Sequence, residues 1–270
     1  MGIQSLFFDL DETLLLEEAS VEEAFHATCR IAEERYGLDP EALTRSVRAH
    51  AKRIWLSHPT AQECMALGIS SWEGLHARFE GNSPLIRRLR EWAPEYRRRA
   101  WTRALAEHGV QNPDLARELA ETFVQERAKR YEPFPDAEPV LEGLRRRYRL
   151  ALITNGPPCL QREKLRASGL ERFFEAVVIS GELGIGKPDS RIFLHALGRM
   201  GLSPQEAVMV GNSLVRDVLG AKRAGLWAVW IRRPGPPDEP FPAQEDGIGP
   251  DGVVRELAEL PDALDALARS

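Results

Sequence analysis

Five short apolar runs, each followed at once by small or polar residues, constrain this chain more than any other feature. They are Gly2 to Leu10, "YRLALIT" (Tyr148 to Thr154), "EAVVIS" (Glu175 to Ser180), "EAVMVG" (Glu206 to Gly211) and "LWAVWI" (Leu226 to Ile231). Each has the length of a strand and an apolar centre, as a strand covered on both faces must have. Helical stretches separate the later runs, at about Pro158 to Ser168, Ser190 to Gly201 and Leu214 to Ala224. Strand alternating with helix at this spacing predicts an α/β fold, a doubly wound parallel sheet with helices on both faces. "VVREL" (Val253 to Leu257) reads as a last short strand, with a helix from Asp262 to Ala268. The Pro- and Gly-rich "RRPGPPDEPFPAQEDGIGPDG" before it reads as a loop.

The first strand is far from the second. From about Ser20 to Tyr131 nearly everything has helical period: Val21, Ala24, Phe25, Thr28 and Ala32 share one face, as do Leu43, Val47, Ala51 and Ile54. Trp72, Leu75, His76 and Phe79 repeat the pattern, as do Leu115, Leu119, Thr122 and Phe123. Gly37, Pro59, Gly68, Gly81, Pro94 and the stretch from Gly109 to Pro113 punctuate it. The block reads as an all-helical domain, 17–132, inserted into an α/β core domain of 1–16 and 133–270. With 43% hydrophobic and 29% charged residues, the 270-residue chain can bury cores of this kind.

In such a sheet, ligands bind beyond the carboxyl ends of the strands, so the residues there are the candidates for chemistry. After the first strand come Asp9, Asp11 and Thr13, in "SLFFDLDET". After the second come Thr154, Asn155 and Gly156; after the third "GELGIGKPD", with Lys187; after the fourth Gly211, Asn212, Ser213 and Asp217. Two acids two residues apart repel one another, which a divalent cation would offset. Carboxylates with Asn and Ser oxygens make a hard-oxygen site suited to Mg²⁺. Thr154 and Asn155, just before a helix that opens with Pro157 and Pro158, make an anion site, and Lys187 adds a point charge for phosphate. These are the parts for phosphoryl transfer: a carboxylate attacks phosphorus to form an aspartyl-phosphate, and Asp11 serves as acid and then base.

Four motifs, "DLDET" (Asp9 to Thr13), "ITNG" (Ile153 to Gly156), "GKPD" (Gly186 to Asp189) and "GNSLVRD" (Gly211 to Asp217), stand in order at predicted strand ends. In this the chain resembles the haloacid dehalogenase-like hydrolase superfamily, in its branch with a helical cap inserted between the first two motifs. The resemblance implies a Rossmann-like core and makes Asp9 the nucleophile, with its other oxygen on Mg²⁺. It makes Asp11 the acid and base, with its backbone carbonyl on the metal. Thr154 and Asn155 then bind phosphate, Lys187 steadies it, and Asp217 holds Mg²⁺ directly or through water. Thr13, Asn212 and Ser213 would stand behind these. Many members carry Asp where this chain has Asn212, which predicts weaker Mg²⁺ binding. Members that split carbon–halogen bonds generally lack an acid at the place of Asp11, so its presence favours phosphoester hydrolysis.

The expected activity is that of a Mg²⁺-dependent phosphatase on a small phosphorylated metabolite. A phosphomutase would share every core motif, and a non-catalytic ligand-binding module has only Asn212 in its favour. The helical domain carries no motif that selects a substrate. Net charge is −5, and the Arg runs at 87–90, 97–99 and 145–147 read as solvated helix faces, so no nucleic-acid partner is expected. Three scattered cysteines, Cys29, Cys64 and Cys159, fit a reducing, cytoplasmic setting, and no signal peptide or membrane span is read. Cys159 near a helix start reads as a bystander. His50, His58 and His76 read as packing or surface residues, and Arg48, Lys52 and Trp55 as a solvated helix edge with a core Trp.

Overall fold

The computed structural model describes residues 2–233 and 248–269. The middle of the Pro- and Gly-rich stretch expected as a loop lies outside the described residues. The chain divides into two compact units. One comprises Met1–Leu16, Glu132–Asn155 and Glu163–Ser270, the other Glu17–Tyr131 and Gly156–Arg162.

In the first unit, six strands among the described residues form one parallel sheet: β1 (Ser5–Phe8), β2 (Arg149–Thr154), β3 (Ala176–Ile179), β4 (Ala207–Gly211), β5 (Trp227–Ile231) and β6 (Gly252–Val254). Their order is β3-β2-β1-β4-β5-β6, the Rossmann-like α/β arrangement. Ser5 stands level with Arg149 on one side and Ala207 on the other, so β1 is central and the order reverses between β1 and β4. Alternate residues of one strand feed opposite faces. Phe8, Leu152 and Val210 join one buried cluster; Phe7, Ala151, Ile153 and Met209 join another beneath Ile192 and Phe193. Each strand is a residue or more shorter than its apolar run, because pairing stops where the chain turns into the adjoining loop.

Two details depart from the sequence reading. A helix at Ala137–Leu144 lies in a stretch to which the sequence assigns no element. The single helix expected at 214–224 is a π-helical segment, Leu214–Leu219, continued by α-helix at Gly220–Arg223. A widened turn of this kind is uncommon and concentrates at functional sites.

One ionic cluster ties this unit together behind β1. Arg233 donates to both carboxylate oxygens of Asp136 at 3.0 and 2.7 Å, and to the Thr13 carbonyl at 3.3 Å. Its guanidinium lies 3.8 Å over the Phe134 ring, and Asp136 also accepts the Leu257 N–H at 2.7 Å.

In the second unit, helices span Glu17–Tyr36, Pro40–Leu56, Ala61–Ala66, Ser71–His76, Pro84–Glu107 and Pro113–Arg127. Asp39, Ser70, Ser83 and Asn112 cap four of their N-termini with side-chain oxygens, and Pro40, Pro84 and Pro113 open the first turns. The faces read from periodicity are buried around Phe25, Trp101 and Phe123. The helix carrying Trp72 and Leu75 stops at His76, so Phe79 reaches the core from a loop, with φ of +52°. Pro94 does not end its helix, which runs on to Glu107; Trp92 and Tyr96, packed on Trp55 and on one another, hold the turns around it. The segment 156–162 belongs to this unit because Leu160 packs in its core and Gln161 donates to Glu73 at 3.2 Å.

Several residues left open by the sequence are placed here. Arg48 pairs with Glu18 and Glu22 and stacks on Trp72, His50 bonds Glu107, and His58 stacks on Trp92. Arg97 is not a solvated residue: it donates to the carbonyls of Gly74 and Ala77, and burial lowers its pKa to about 10. Burial pushes the thiols of Cys29 and Cys64 up to about 11 and raises that of Cys159, against any lowering by its helix terminus. No helix among the described residues is long and apolar enough to cross a membrane.

The Asp136 cluster makes a testable statement about pH. Burial works to raise the Asp136 carboxyl, but Arg233 and the Leu257 N–H outweigh it and hold the pKa below 3.8. A depressed carboxyl pKa stabilises the fold above the unfolded value and stops doing so as pH falls through the folded one. The stability advantage of wild type over Asp136→Asn is expected to be constant above about pH 5 and to shrink on acidification below about pH 4. Urea denaturation across that range measures it, and an advantage that grows on acidification contradicts the assignment.

Candidate active site

The carboxyl ends of β1 and β4 and the loop after β3 bring three predicted residues into direct contact. The Lys187 ammonium lies 2.6 Å from Asp9 Oδ1 and 2.6 Å from Asp217 Oδ1. All three side chains are buried, with Lys187 4% and Asp217 1% exposed. Burial raises the Asp9 carboxyl pKa; the Lys187 ammonium opposes that in part, while the Asp217 charge adds to it. For Lys187, burial works downward, and the two carboxylates overcome it, so its ammonium form is held above the usual range.

Each member of this cluster is fixed from behind. Asp9 continues the sheet, its N–H donating to the Val210 carbonyl at 3.0 Å. Asp217 accepts the Ser213 N–H at 2.9 Å through its second oxygen, and Ser213 caps the π-helical segment by accepting the Arg216 N–H. Gly211 ends β4 where no larger residue fits: a Cβ there would lie 2.3 Å from the Asp217 carboxyl. Lys187 is held along its main chain by Asn155, whose carboxamide accepts the Lys187 N–H at 2.8 Å and donates to its carbonyl at 2.9 Å.

Other predicted residues stand around the cluster. Thr13 Oγ1 accepts the Asn212 N–H at 3.1 Å and donates to Asn212 Oδ1 at 3.3 Å, while Trp230 holds the Asn212 carbonyl. Thr154 ends β2 and is buried, its hydroxyl 3.4 Å from the Asn155 carbonyl. Asp11 takes a different partner from Asp9: Lys164 Nζ lies 2.9 and 3.1 Å from its two oxygens. Directly after Asp11 the chain turns at Glu12, whose φ of +56° is a conformation a non-glycine residue seldom adopts.

Lys164 is the residue the sequence reading missed. It lies on the helix Pro158–Ala167 and is 1% exposed. Its signal is in "QREKL" (Gln161 to Leu165): Leu160, Gln161, Lys164 and Leu165 fall on one buried helical face, and a lysine there needs an anion.

The donor set fits Mg²⁺. Two buried carboxylates share one ammonium, which leaves one negative charge uncompensated beside hard oxygens. No group of three His, Cys, Asp or Glu residues gathers among the described residues, so a cation here would rely on Asp9, Asp217 and neutral oxygens. Mg²⁺, which takes one or two carboxylates and keeps several waters, suits that supply.

The close approach at Gly211 is open to test. Gly211→Ala must displace the Asp217 carboxyl or the end of β4, and is expected to lower stability by about 1–3 kcal/mol. A crystal structure of the variant should show the Lys187–Asp217 contact broken; an unchanged contact would refute the crowding.

Comparisons with known proteins agree with this fold. Residues 3–225 match the family model of the haloacid dehalogenase-like hydrolases. A phosphoserine phosphatase of Thermus thermophilus is 42% identical over 245 residues, covering 90% of this chain and 94% of its own. A glyceraldehyde 3-phosphate phosphatase of Methanopyrus kandleri is 41% identical over 51% of this chain and 58% of its own length. Among solved structures, a putative hydrolase of the family from Bacillus subtilis, determined with magnesium bound, superposes with a TM-score of 0.66 at 21% identity, over 98% of this chain and 100% of that one. A 2-haloacid dehalogenase from Pseudomonas syringae gives a TM-score of 0.59 at 26% identity, over 98% and 100% of the two chains. With its four motifs gathered at one end of a parallel sheet, the chain belongs to the haloacid dehalogenase-like hydrolases.

Proposed function

We propose that this protein is a Mg²⁺-dependent phosphatase that hydrolyses a small phosphorylated metabolite through an aspartyl-phosphate on Asp9. That it is a phosphoric monoester hydrolase of its family follows from its phosphatase relatives. The observation that carries the finer reading is the separation of the two acids: Asp9 bonds Lys187 and Asp11 bonds Lys164. One carboxylate is thereby placed for attack and the other kept apart for proton transfer. Alkoxide leaving groups need that proton and halide does not, which favours phosphoesters over the carbon–halogen chemistry of the dehalogenase neighbours.

In the first half-reaction, an Asp9 oxygen attacks phosphorus and the ester P–O bond breaks. The departing alkoxide takes a proton from Asp11. In the second, Asp11 takes a proton from water, whose oxygen attacks phosphorus and releases the Asp9 carboxylate. Lys187 holds Asp9 in place and neutralises charge on the phosphoryl oxygens, with Thr154 and the N–H groups that follow β2 completing the cradle. Asp9, the Asp11 carbonyl and Asp217 would hold Mg²⁺, which when bound neutralises phosphoryl charge. The helical unit is the cap that selects the substrate, and phosphoserine is the first compound to test, from the Thermus relative.

Phosphate release from phosphoserine, glyceraldehyde 3-phosphate and p-nitrophenyl phosphate is expected with Mg²⁺ and not with a chelator. Asp9→Asn should lower kcat by about a thousandfold or more. Release that survives chelator or Asp9→Asn would reject the mechanism, and none from any compound would move weight to a phosphomutase or a binding module. Asn212→Asp restores a charge beside the metal and should tighten Mg²⁺ binding in calorimetry; unchanged affinity would sink that explanation.

A further inference from the structure

We propose that Asn155 is a positioning residue for Lys187, and that its carboxamide serves the reaction by clamping the Lys187 main chain rather than by contacting phosphate. The inference rests on the phosphatase reading above. Asn155 follows β2, and Lys187 lies in the loop between the short helix Ser180–Leu183 and the helix Ser190–Met200. These segments share no strand pairing at this point, since the β2–β3 ladder ends at Thr154 and Ile179. The carboxamide continues the connection. It accepts the Lys187 N–H at 2.8 Å and donates to the Lys187 carbonyl at 2.9 Å. A planar amide that exchanges two hydrogen bonds with one residue reproduces the bonded pair of an antiparallel ladder, and it fixes that residue in both position and orientation.

The consequence lies at the other end of Lys187. Its ammonium is 2.6 Å from Asp9 and 2.6 Å from Asp217, and the residue is 4% exposed. A lysine side chain has several rotatable bonds and can occupy one such point reproducibly only if its main chain is fixed. Asn155 supplies that restraint, and through Lys187 it sets where the ammonium meets the nucleophile. The carboxamide oxygen and one of its two N–H groups are spent on this task, which turns the side chain to the Lys187 main chain and leaves the backbone N–H of Asn155 for phosphate. That group survives every side-chain substitution.

The two roles make opposite predictions in a double-mutant cycle. Wild type, Asn155→Ala, Lys187→Met and the double variant are compared, first for melting temperature. Inorganic phosphate affinity with Mg²⁺ is then read by calorimetry, and kcat and KM with p-nitrophenyl phosphate. Asn155→Ala is expected to lower kcat/KM tenfold or more in the wild-type background, and to change phosphate affinity less than twofold once Lys187 is gone. An equal loss of phosphate affinity in both backgrounds would overturn the clamp and assign Asn155 to phosphate directly. Asn155→Asp decides the matter without the cycle. It keeps the acceptor for the Lys187 N–H, so a clamp predicts phosphate affinity at least equal to that of Asn155→Ala. A carboxylate facing phosphate would repel it, and an Asn155→Asp variant tenfold weaker than Asn155→Ala would refute the proposal. A wild type that neither hydrolyses nor binds phosphate rejects the phosphatase reading and the clamp's role with it. An active wild type with additive variants rejects the clamp alone.

Discussion

A lysine ammonium held between two carboxylates in a buried site is the interaction on which the carboxyl end of the sheet depends. Desolvating three charged groups is costly, and the attraction among Asp9, Lys187 and Asp217 offsets that cost only while all three stay in contact. The geometry therefore has to be imposed by everything around it. Asp9 is locked into the central strand, Asp217 is gripped by the Ser213 N–H and crowded by Gly211, and Lys187 is held by Asn155. The same over-determination that makes the cluster tolerable gives it a fixed shape, which preorganised electrostatic catalysis requires.

The two acids of "DLDET" raise a problem of like charge, and the structure solves it twice. Asp9 turns to Lys187, and Asp11, two residues on, takes Lys164 from a helix that begins after β2. Separate cations let neighbouring carboxylates keep separate environments, and acids in separate environments can take separate roles. A divalent cation bound beside Asp9 and Asp217 would offset the charge that the lysines leave.

The helical unit is organised on other terms. Its core is aromatic, with Phe25, Trp101 and Phe123 in mutual contact, and some of its arginines are spent on partners inside the unit. Arg127 is fully buried against Glu17, and Arg48 lies over Trp72 while bonding two glutamates. Removing one partner of such pairs strands a desolvated charge. Arginines that looked like solvent-facing runs thus fall into two sorts, exposed ones such as Arg98 and half-buried ones such as Arg97, spent on main-chain carbonyls.

The sequence by itself determined the sheet and the edge where chemistry would gather. Apolar runs of strand length, spaced by helices, allow little other than a parallel sheet, and the polar residues after each run must then meet at its carboxyl ends. Periodicity also determined the helical faces around Phe25 and Phe123. What the tertiary structure decided were the pairings: that Lys187 bridges Asp9 and Asp217, that Lys164 serves Asp11, that Asn155 holds Lys187, and that Arg233 joins Asp136 to Thr13. Local rules miss these because the partners lie far apart in sequence and a lysine on a helix looks the same whether it faces water or a buried acid. The same reason hides Pro94 inside a continuing helix and the π-helical turn that carries Asp217. In each case the local preference is worth less than the long-range packing that overrides it.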